Sequence, residues 1–289
     1  NFLKSETPKQ IFSKAVLLIL ITIFIIPAGS RAKDNVDILA ENIELILSGI
    51  NCTVSVQVAS AEKYDLLYEK NPRIKMIPAS ITKMITAAIA LEYLGKDHNF
   101  RTVIYTDDSN ISDGIVDGNI YLKGYGDPDL NSSDISYLAK LFSEKNIRAV
   151  TGNIVYDESY LDNQYFGLSN YYQGDTKSNY WPYVSALNLN KNPGNYDPAA
   201  SAGNLLADEL MALNIKLNGI VISGVTPAGA KEVAEVSHSM YNVLAQMNKE
   251  SDNHSAITVF KVAGAAFDSP PGSLDKGESA VINFLTAMG

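Results

Sequence analysis

From Pro78 to Gly95 the chain places Met84, Ile85, Ala87, Ala88, Ile89, Leu91 and Leu94 at spacings that spread apolar side chains over more than one face of a helix. A helix of that kind must be covered by other elements, so it belongs in the interior of a folded domain. Pro78 ahead of it and Gly95 behind it mark its start and stop. Ser80 stands at the start, and Lys83 lies three residues on and hence on the same face. There a lysine amine reaches a serine hydroxyl without any His or Asp, the arrangement of a Ser-Lys nucleophile.

The spacing alone is not distinctive, because it recurs at Ser60 with Lys63 and at Ser273 with Lys276. Ser60 falls in a turn between two expected strands, and Ser273 follows Pro270-Pro271-Gly272, a loop or helix start. Only Ser80 opens a long buried helix, whose unpaired N–H groups and partial positive charge favour the oxyanion formed when a serine attacks a carbonyl. Lys83 in the first turn opposes the helix dipole, which argues for a specific task. The alternative is a plain N-cap at Ser80 with a solvated Lys83.

Ser251-Asp252-Asn253 is the only Ser-x-Asn in the chain and lies between helical patterns at 239–249 and 254–266. A loop between helices can aim two side chains into a cleft, with Ser251 relaying a proton to a leaving amine and Asn253 hydrogen-bonding the substrate backbone. An ordinary helix cap is the alternative, since Ser, Asp and Asn are the favoured N-cap residues.

Taken in order, these segments resemble the active-site serine penicillin-recognising enzymes. The likeness is nearest to the low-molecular-mass class C penicillin-binding proteins, the D-alanyl-D-alanine carboxypeptidase/endopeptidase family also called peptidase S13, which shares the Ser-x-x-Lys and Ser-Asp-Asn runs. Tyr121-Leu122-Lys123-Gly124-Tyr125-Gly126-Asp127-Pro128-Asp129-Leu130 is similar to that family's Gly-Asp-Pro segment. Thr151-Gly152-Asn153-Ile154-Val155 with Asp157, Trp181-Pro182, Ser185-Ala186-Leu187 and Pro270-Pro271-Gly272-Ser273 are similar to further landmarks. The resemblance implies a mixed α/β fold, a serine β-lactamase/transpeptidase-like domain of antiparallel sheet with helices, interrupted by a mainly β insert. It implies Ser80 as nucleophile, Lys83 as base, Ser251 as proton relay and Asn253 as substrate-binding residue, with no cofactor and no metal. The implied partners are peptidoglycan stem peptides and β-lactams. The family's third motif, Lys-Thr-Gly or Lys-Ser-Gly, does not occur in the 289 residues, so the expectation is a chain truncated before the C-terminal strands. The short interval from Ser80 to Ser251 implies a small insert, with sequence skipped near 190–197. The rival expectation is a catalytically inactive wall-binding fragment; a β-lactamase suits the Gly-Asp-Pro landmarks less well.

Lys4, Lys9 and Lys14 precede the apolar run 15–26, and Ser30-Arg31-Ala32 follows, the pattern of a secretory signal peptide over 1–32. The run is short for a membrane span, and an uncleaved segment would give membrane association. The expected location is the exported side of a bacterial cell envelope. Residues 1–32 carry four basic side chains against one acidic one, so the remainder is more acidic than the overall formal charge of −9. Such a surface argues against nucleic acid as a partner. Cys52, the single cysteine, sits in an alternating run 52–58 that places it on the buried face of a strand.

The remaining pattern suggests a helix over Ile38–Leu47, a hairpin at 52–69, short strands at Thr102–Thr106, Ile115–Leu122 and Val150–Tyr156, and a helix near Ser133–Lys145. Helical patterning returns from Ala199. The expected organisation is therefore a catalytic domain over 33–97 and 199–289 around an inserted domain at 98–198. His98, His238 and His254 lack metal-ligand spacing and read as surface or loop residues, although His254 adjoins Asn253. The aromatic stretch 163–179 near Trp181 reads as loop packing.

Overall fold

The computed structural model describes residues 32–107, 111, 113–165, 183–192 and 197–289. The signal-peptide pattern, the Trp181-Pro182 landmark and nearly all of the aromatic stretch lie outside these residues. The chain divides into two units, Asn1–Ile77 and Pro78–Gly289.

In the first unit, helix α1 (Ala32–Ser48) precedes a hairpin of β1 (Val56–Ala59) and β2 (Leu66–Lys70), antiparallel with Val56 opposite Lys70 and Ala59 opposite Leu66. The Ser60 hydroxyl accepts from the Lys63 backbone N–H at 3.3 Å, so this Ser-x-x-Lys closes a turn. Cys52 corrects the expectation drawn from its alternating run: it is exposed and precedes the strand. Pairing cannot extend to it, because the partner strand ends at Lys70 and Asn71 turns away with φ 52. The Asn71 side chain then bonds the Val54 carbonyl at 2.9 Å, and Ser55 Oγ bonds the Asn71 carbonyl at 3.0 Å, in place of a ladder.

The second unit opens with α2 (Thr82–Leu94), ended by Gly95 at φ 85. There follow β3 (Asn99–Thr106), β4 (Ile115–Val116), β5 (Ile120–Gly124), α3 (Ser132–Ser143), β6 (Ala149–Val150) and β7 (Ile154–Asp157). Beyond them come α4 (Pro198–Ala212), β8 (Lys216–Leu217), β9 (Val221–Ser223), β10 (Lys231–Ser239), α5 (Met240–Lys249), α6 (Asn253–Asp268) and α7 (Leu274–Met288). A five-stranded sheet runs β10-β3-β5-β7-β9, its first two pairings antiparallel and its last two parallel. Parallel neighbours need crossover connections, and α3 and α4 lie in those connections. Both helices bury their apolar stripes, Ile135, Leu138 and Phe142 of one and Ala202, Leu206 and Leu210 of the other, against Ile104, Leu122, Ile154 and Val236 of the sheet. A second core joins Ala90 of α2, Val243 and Met247 of α5, and Val259 and Val262 of α6 to Phe100, Leu161, Val184 and Ala186.

The mixed α/β class is as the sequence suggests, but the region expected to stand alone at 98–198 does not end there. Its sheet continues through β9 and β10 to Ser239, and α4 completes its helix layer. It is also less purely β than expected. An amphipathic pattern shows that a helix has a buried side, but not which layer receives it.

Candidate active site

The chain reaches α2 through a tight turn. The N–H groups of Thr82, Lys83 and Met84 bond the carbonyls of Ala79, Ser80 and Ile81 at 3.1, 3.1 and 3.0 Å. Ile81 occupies the N-cap position and makes no side-chain cap bond, so Ser80 is not the cap and its hydroxyl stays free of that duty. The N–H groups of Ser80 and Ile81 make no hydrogen bond among the described residues. Lys83, one turn on, is only 6% exposed. Its Nζ lies 3.1 Å from Ser80 Oγ and 2.6 Å from Asn253 Oδ1, both within hydrogen-bond reach. Burial pushes the Lys83 amine below its ordinary range, and the negative charge of Asp252 partly opposes that.

Asn253 is held there by helix capping. Asp252 is the N-cap of α6, accepting from the N–H groups of His254 at 2.9 Å and Ser255 at 3.5 Å. Asn253 thereby becomes the first helical residue, pointing at α2. Burial alone would raise the Asp252 carboxyl, but the hydrogen bonds from Lys191 and Ser255 hold it below the usual carboxylate range. Ser251 has a different place. It is exposed, its φ is 56, and among the described residues its side chain makes no hydrogen bond to Ser80 or Lys83. The structure therefore brings together Ser80, Lys83 and Asn253 of the four expected site residues and leaves Ser251 on the rim. The Ser273 match is a cap: Ser273 accepts from the Lys276 N–H at 3.1 Å, while Lys276 Nζ bonds the Asp268 and Ser269 carbonyls.

Three supporting residues were not expected. His254 is buried, 3% exposed, with Nε2 3.1 Å from Asn188 Oδ1, and burial pushes its imidazole down to about 4, so it is neutral. His238 lies 2.7 Å from the fully buried Asp127 carboxylate, whose hydrogen bond pushes the imidazole up to about 9. Both replace the surface or loop role read from the sequence. Lys191 pairs with Asp252 and lies 3.5 Å from Asp129. Adjacency to Asn253 in the sequence was a signal for His254 alone; Lys191 and His238 lie far along the chain from the residues they pair with. Gly126, at φ 78, sits where a Cβ would come within 2.4 Å of Val262 Cγ2 on α6, which locks the Gly-Asp-Pro segment against the helix that carries Asn253. Among the described residues no cluster of three His, Cys, Asp or Glu side chains could hold a metal.

The fold matches that of a solved penicillin-binding protein. The crystal structure of penicillin binding protein 4 (dacB) from Haemophilus influenzae matches with a TM-score of 0.70 over 81% of this chain and 67% of that chain, at 21% identity. The chain belongs to the D-Ala-D-Ala carboxypeptidase 3 (S13) family, whose profile matches residues 34–196 and 194–289. A D-alanyl-D-alanine carboxypeptidase of Actinomadura sp. (strain R39) is 30% identical over 162 residues, 55% of this chain and 29% of that protein. The D-alanyl-D-alanine carboxypeptidase DacB of Haemophilus influenzae is 22% identical over 295 residues, 78% of this chain and 61% of that protein. The chain thus spans less than two thirds of the length of either relative.

Proposed function

We propose that this protein is a serine D-Ala-D-Ala carboxypeptidase/endopeptidase acting on peptidoglycan stem peptides through an acyl-enzyme on Ser80, and that β-lactams acylate the same serine. The observation that carries the reading is a nearly sealed lysine amine 3.1 Å from the Ser80 hydroxyl and fixed on its other side by Asn253. Family membership and the two carboxypeptidase relatives support the substrate class.

Lys83, whose amine burial pushes below its ordinary range, takes the Ser80 hydroxyl proton as Oγ bonds to the penultimate D-Ala carbonyl carbon. The free N–H groups at the start of α2 suit the resulting oxyanion. The C–N bond then breaks, and the leaving amine takes up a proton, for which we assign Ser251 as relay on the strength of its place beside Asn253. Water cleaves the Ser80 ester and returns the proton to Oγ. A β-lactam leaves its amine tethered to the acyl group, so the ester persists. The leader-like pattern at 1–32 supports export to the cell envelope, where these substrates lie.

The test is labelling by a fluorescent penicillin followed by peptide mapping. The adduct is expected on Ser80 and absent from Ser80→Ala, which keeps the fold because Ser80 caps nothing. An adduct on Ser60 or Ser273, or no adduct at all, overturns the proposal. Release of D-alanine from diacetyl-Lys-D-Ala-D-Ala then separates a peptidase from an inactive wall-binding protein.

A further inference from the structure

The loop before α4 holds Asn190, Lys191 and Asn192 successively in the left-handed region, at φ 53, 58 and 53. Asparagine tolerates that conformation, but for lysine it is sterically costly. The conformation persists because its neighbours over-determine it. Asn192 Nδ2 donates to the Tyr183 carbonyl at 2.9 Å and to Asn188 Oδ1 at 2.9 Å, and the same Asn188 oxygen meets the buried His254 ring at 3.1 Å. The strained backbone delivers one group, the Lys191 ammonium, onto the Asp252 carboxylate, with Ser255 Oγ at 3.4 Å and Asp129 at 3.5 Å.

We infer that Lys191 is a positioning residue for the Ser80–Lys83 pair: it neutralises Asp252 and pins the helix start that holds Asn253 against Lys83. The inference rests on the reaction proposed above. Among the described residues, Asp252 is the charged group whose field bears on Lys83, and it favours the protonated amine. A base must lose its proton, so an uncompensated Asp252 would work against the chemistry. The carboxylate cannot simply be dispensed with, because it caps α6. Lys191 resolves the conflict by leaving the cap in place while offsetting its charge. Asp252 faces Lys191 and His254, and Lys191 faces Asp129 as well. His238 from β10 and Lys249 and Glu250 at the end of α5 line the same groove as Lys191. Of these, His254 is neutral at working pH, and His238 is committed to Asp127.

The test reads the protonation of Lys83 directly, by NMR of ε-13C-lysine in the full chain, with the resonance assigned by its loss in Lys83→Arg. Lys191→Met is expected to move the Lys83 midpoint alkaline by about one unit, the low end of the range for a neighbouring opposite charge. Lys191→Arg should leave it in place. Asp252→Asn, which keeps the cap, should move it acid, and Lys191→Met added to Asp252→Asn should then move it no further. A Lys191 that merely braces the loop would lower the urea midpoint in Lys191→Met and leave the Lys83 titration unmoved, which overturns the inference. If Lys191→Met fails to fold, Lys191→Gln takes its place, and an unmoved Lys83 midpoint in Asp252→Asn sinks the inference by itself. Penicillin labelling of the unaltered chain is run alongside. Its failure overturns the proposed reaction and needs no variant, so the two failures cannot be confused.

Discussion

Asn253→Ala removes the nearer of the two partners of the amine of Lys83, a residue that is 6% exposed. Water cannot readily replace the lost amide at that depth, and a hydrogen bond to a charged group contributes about 1.5–3 kcal/mol. If the 2.6 Å contact persists while Lys83 carries the Ser80 proton, its loss falls on the transition state, where each 1.36 kcal/mol is tenfold in rate. Acylation by a fluorescent penicillin should therefore slow about 10- to 150-fold in second-order rate, measured from gel-resolved time courses at several concentrations. Asn253→Asp provides the contrast. A carboxylate opposite Lys83 favours the ammonium, so this variant should be slow at pH 7 and recover part of its rate at alkaline pH, whereas the Ala variant should not recover. Urea unfolding of each variant separates loss of reaction from loss of fold. If Asn253→Ala is acylated within threefold of the unaltered rate, the contact is incidental to the chemistry and the role given to Asn253 is wrong.

Lys83→Arg keeps the charge but cannot serve as a base; acylation should fall at least 100-fold, and labelling at the unaltered rate would exclude Lys83 from proton transfer. Gly126→Ala combines a left-handed backbone with a 2.4 Å approach to Val262, so urea stability should drop by roughly 1–3 kcal/mol; an unchanged midpoint would mean that the Gly-Asp-Pro crossing yields easily. Stability should also fall on both sides of about pH 6.5. His238, raised to about 9, contributes stability that is complete below its unfolded value and is lost as pH rises through 9. His254, depressed to about 4, makes the unfolded chain the better proton acceptor as pH falls from 6.5 towards 4, which weakens the fold. His238→Gln should flatten the alkaline limb of the urea profile alone, and a stability that climbs from pH 7 to 9 in the unaltered chain would contradict the His238–Asp127 pairing.

Ser80 and Lys83 were legible because helical spacing is a local rule: three residues along one helix determine which side chains meet, whatever surrounds them. The same rule gave Ser60 and Ser273, and what set Ser80 apart from them was the long apolar helix it opens, although Met84 and Leu91 of that helix are exposed. The limits of the domains were less legible. Strand pairing such as Ser237 with Arg101 joins residues far apart in the chain, and β10 carries no local mark of belonging to the sheet begun by β3.

Ser251-Asp252-Asn253 shows how one motif can carry two readings at once. The functional and capping readings were set against each other, yet the motif caps α6 through Asp252 while Asn253 meets Lys83. Asp252 must occupy the N-cap for its carboxylate to reach the His254 and Ser255 N–H groups. That choice rotates Asn253 into the first turn towards Lys83 and leaves Ser251 outside the helix at φ 56. The cap in turn brings a negative charge to bear on the amine proposed as the base. Only a cation from elsewhere can offset it, and Lys191, 61 residues upstream in a left-handed loop, is the cation the fold delivers. No periodicity in the sequence announces such a partner, because the need for it arises only once the cap and the Ser-Lys pair lie side by side.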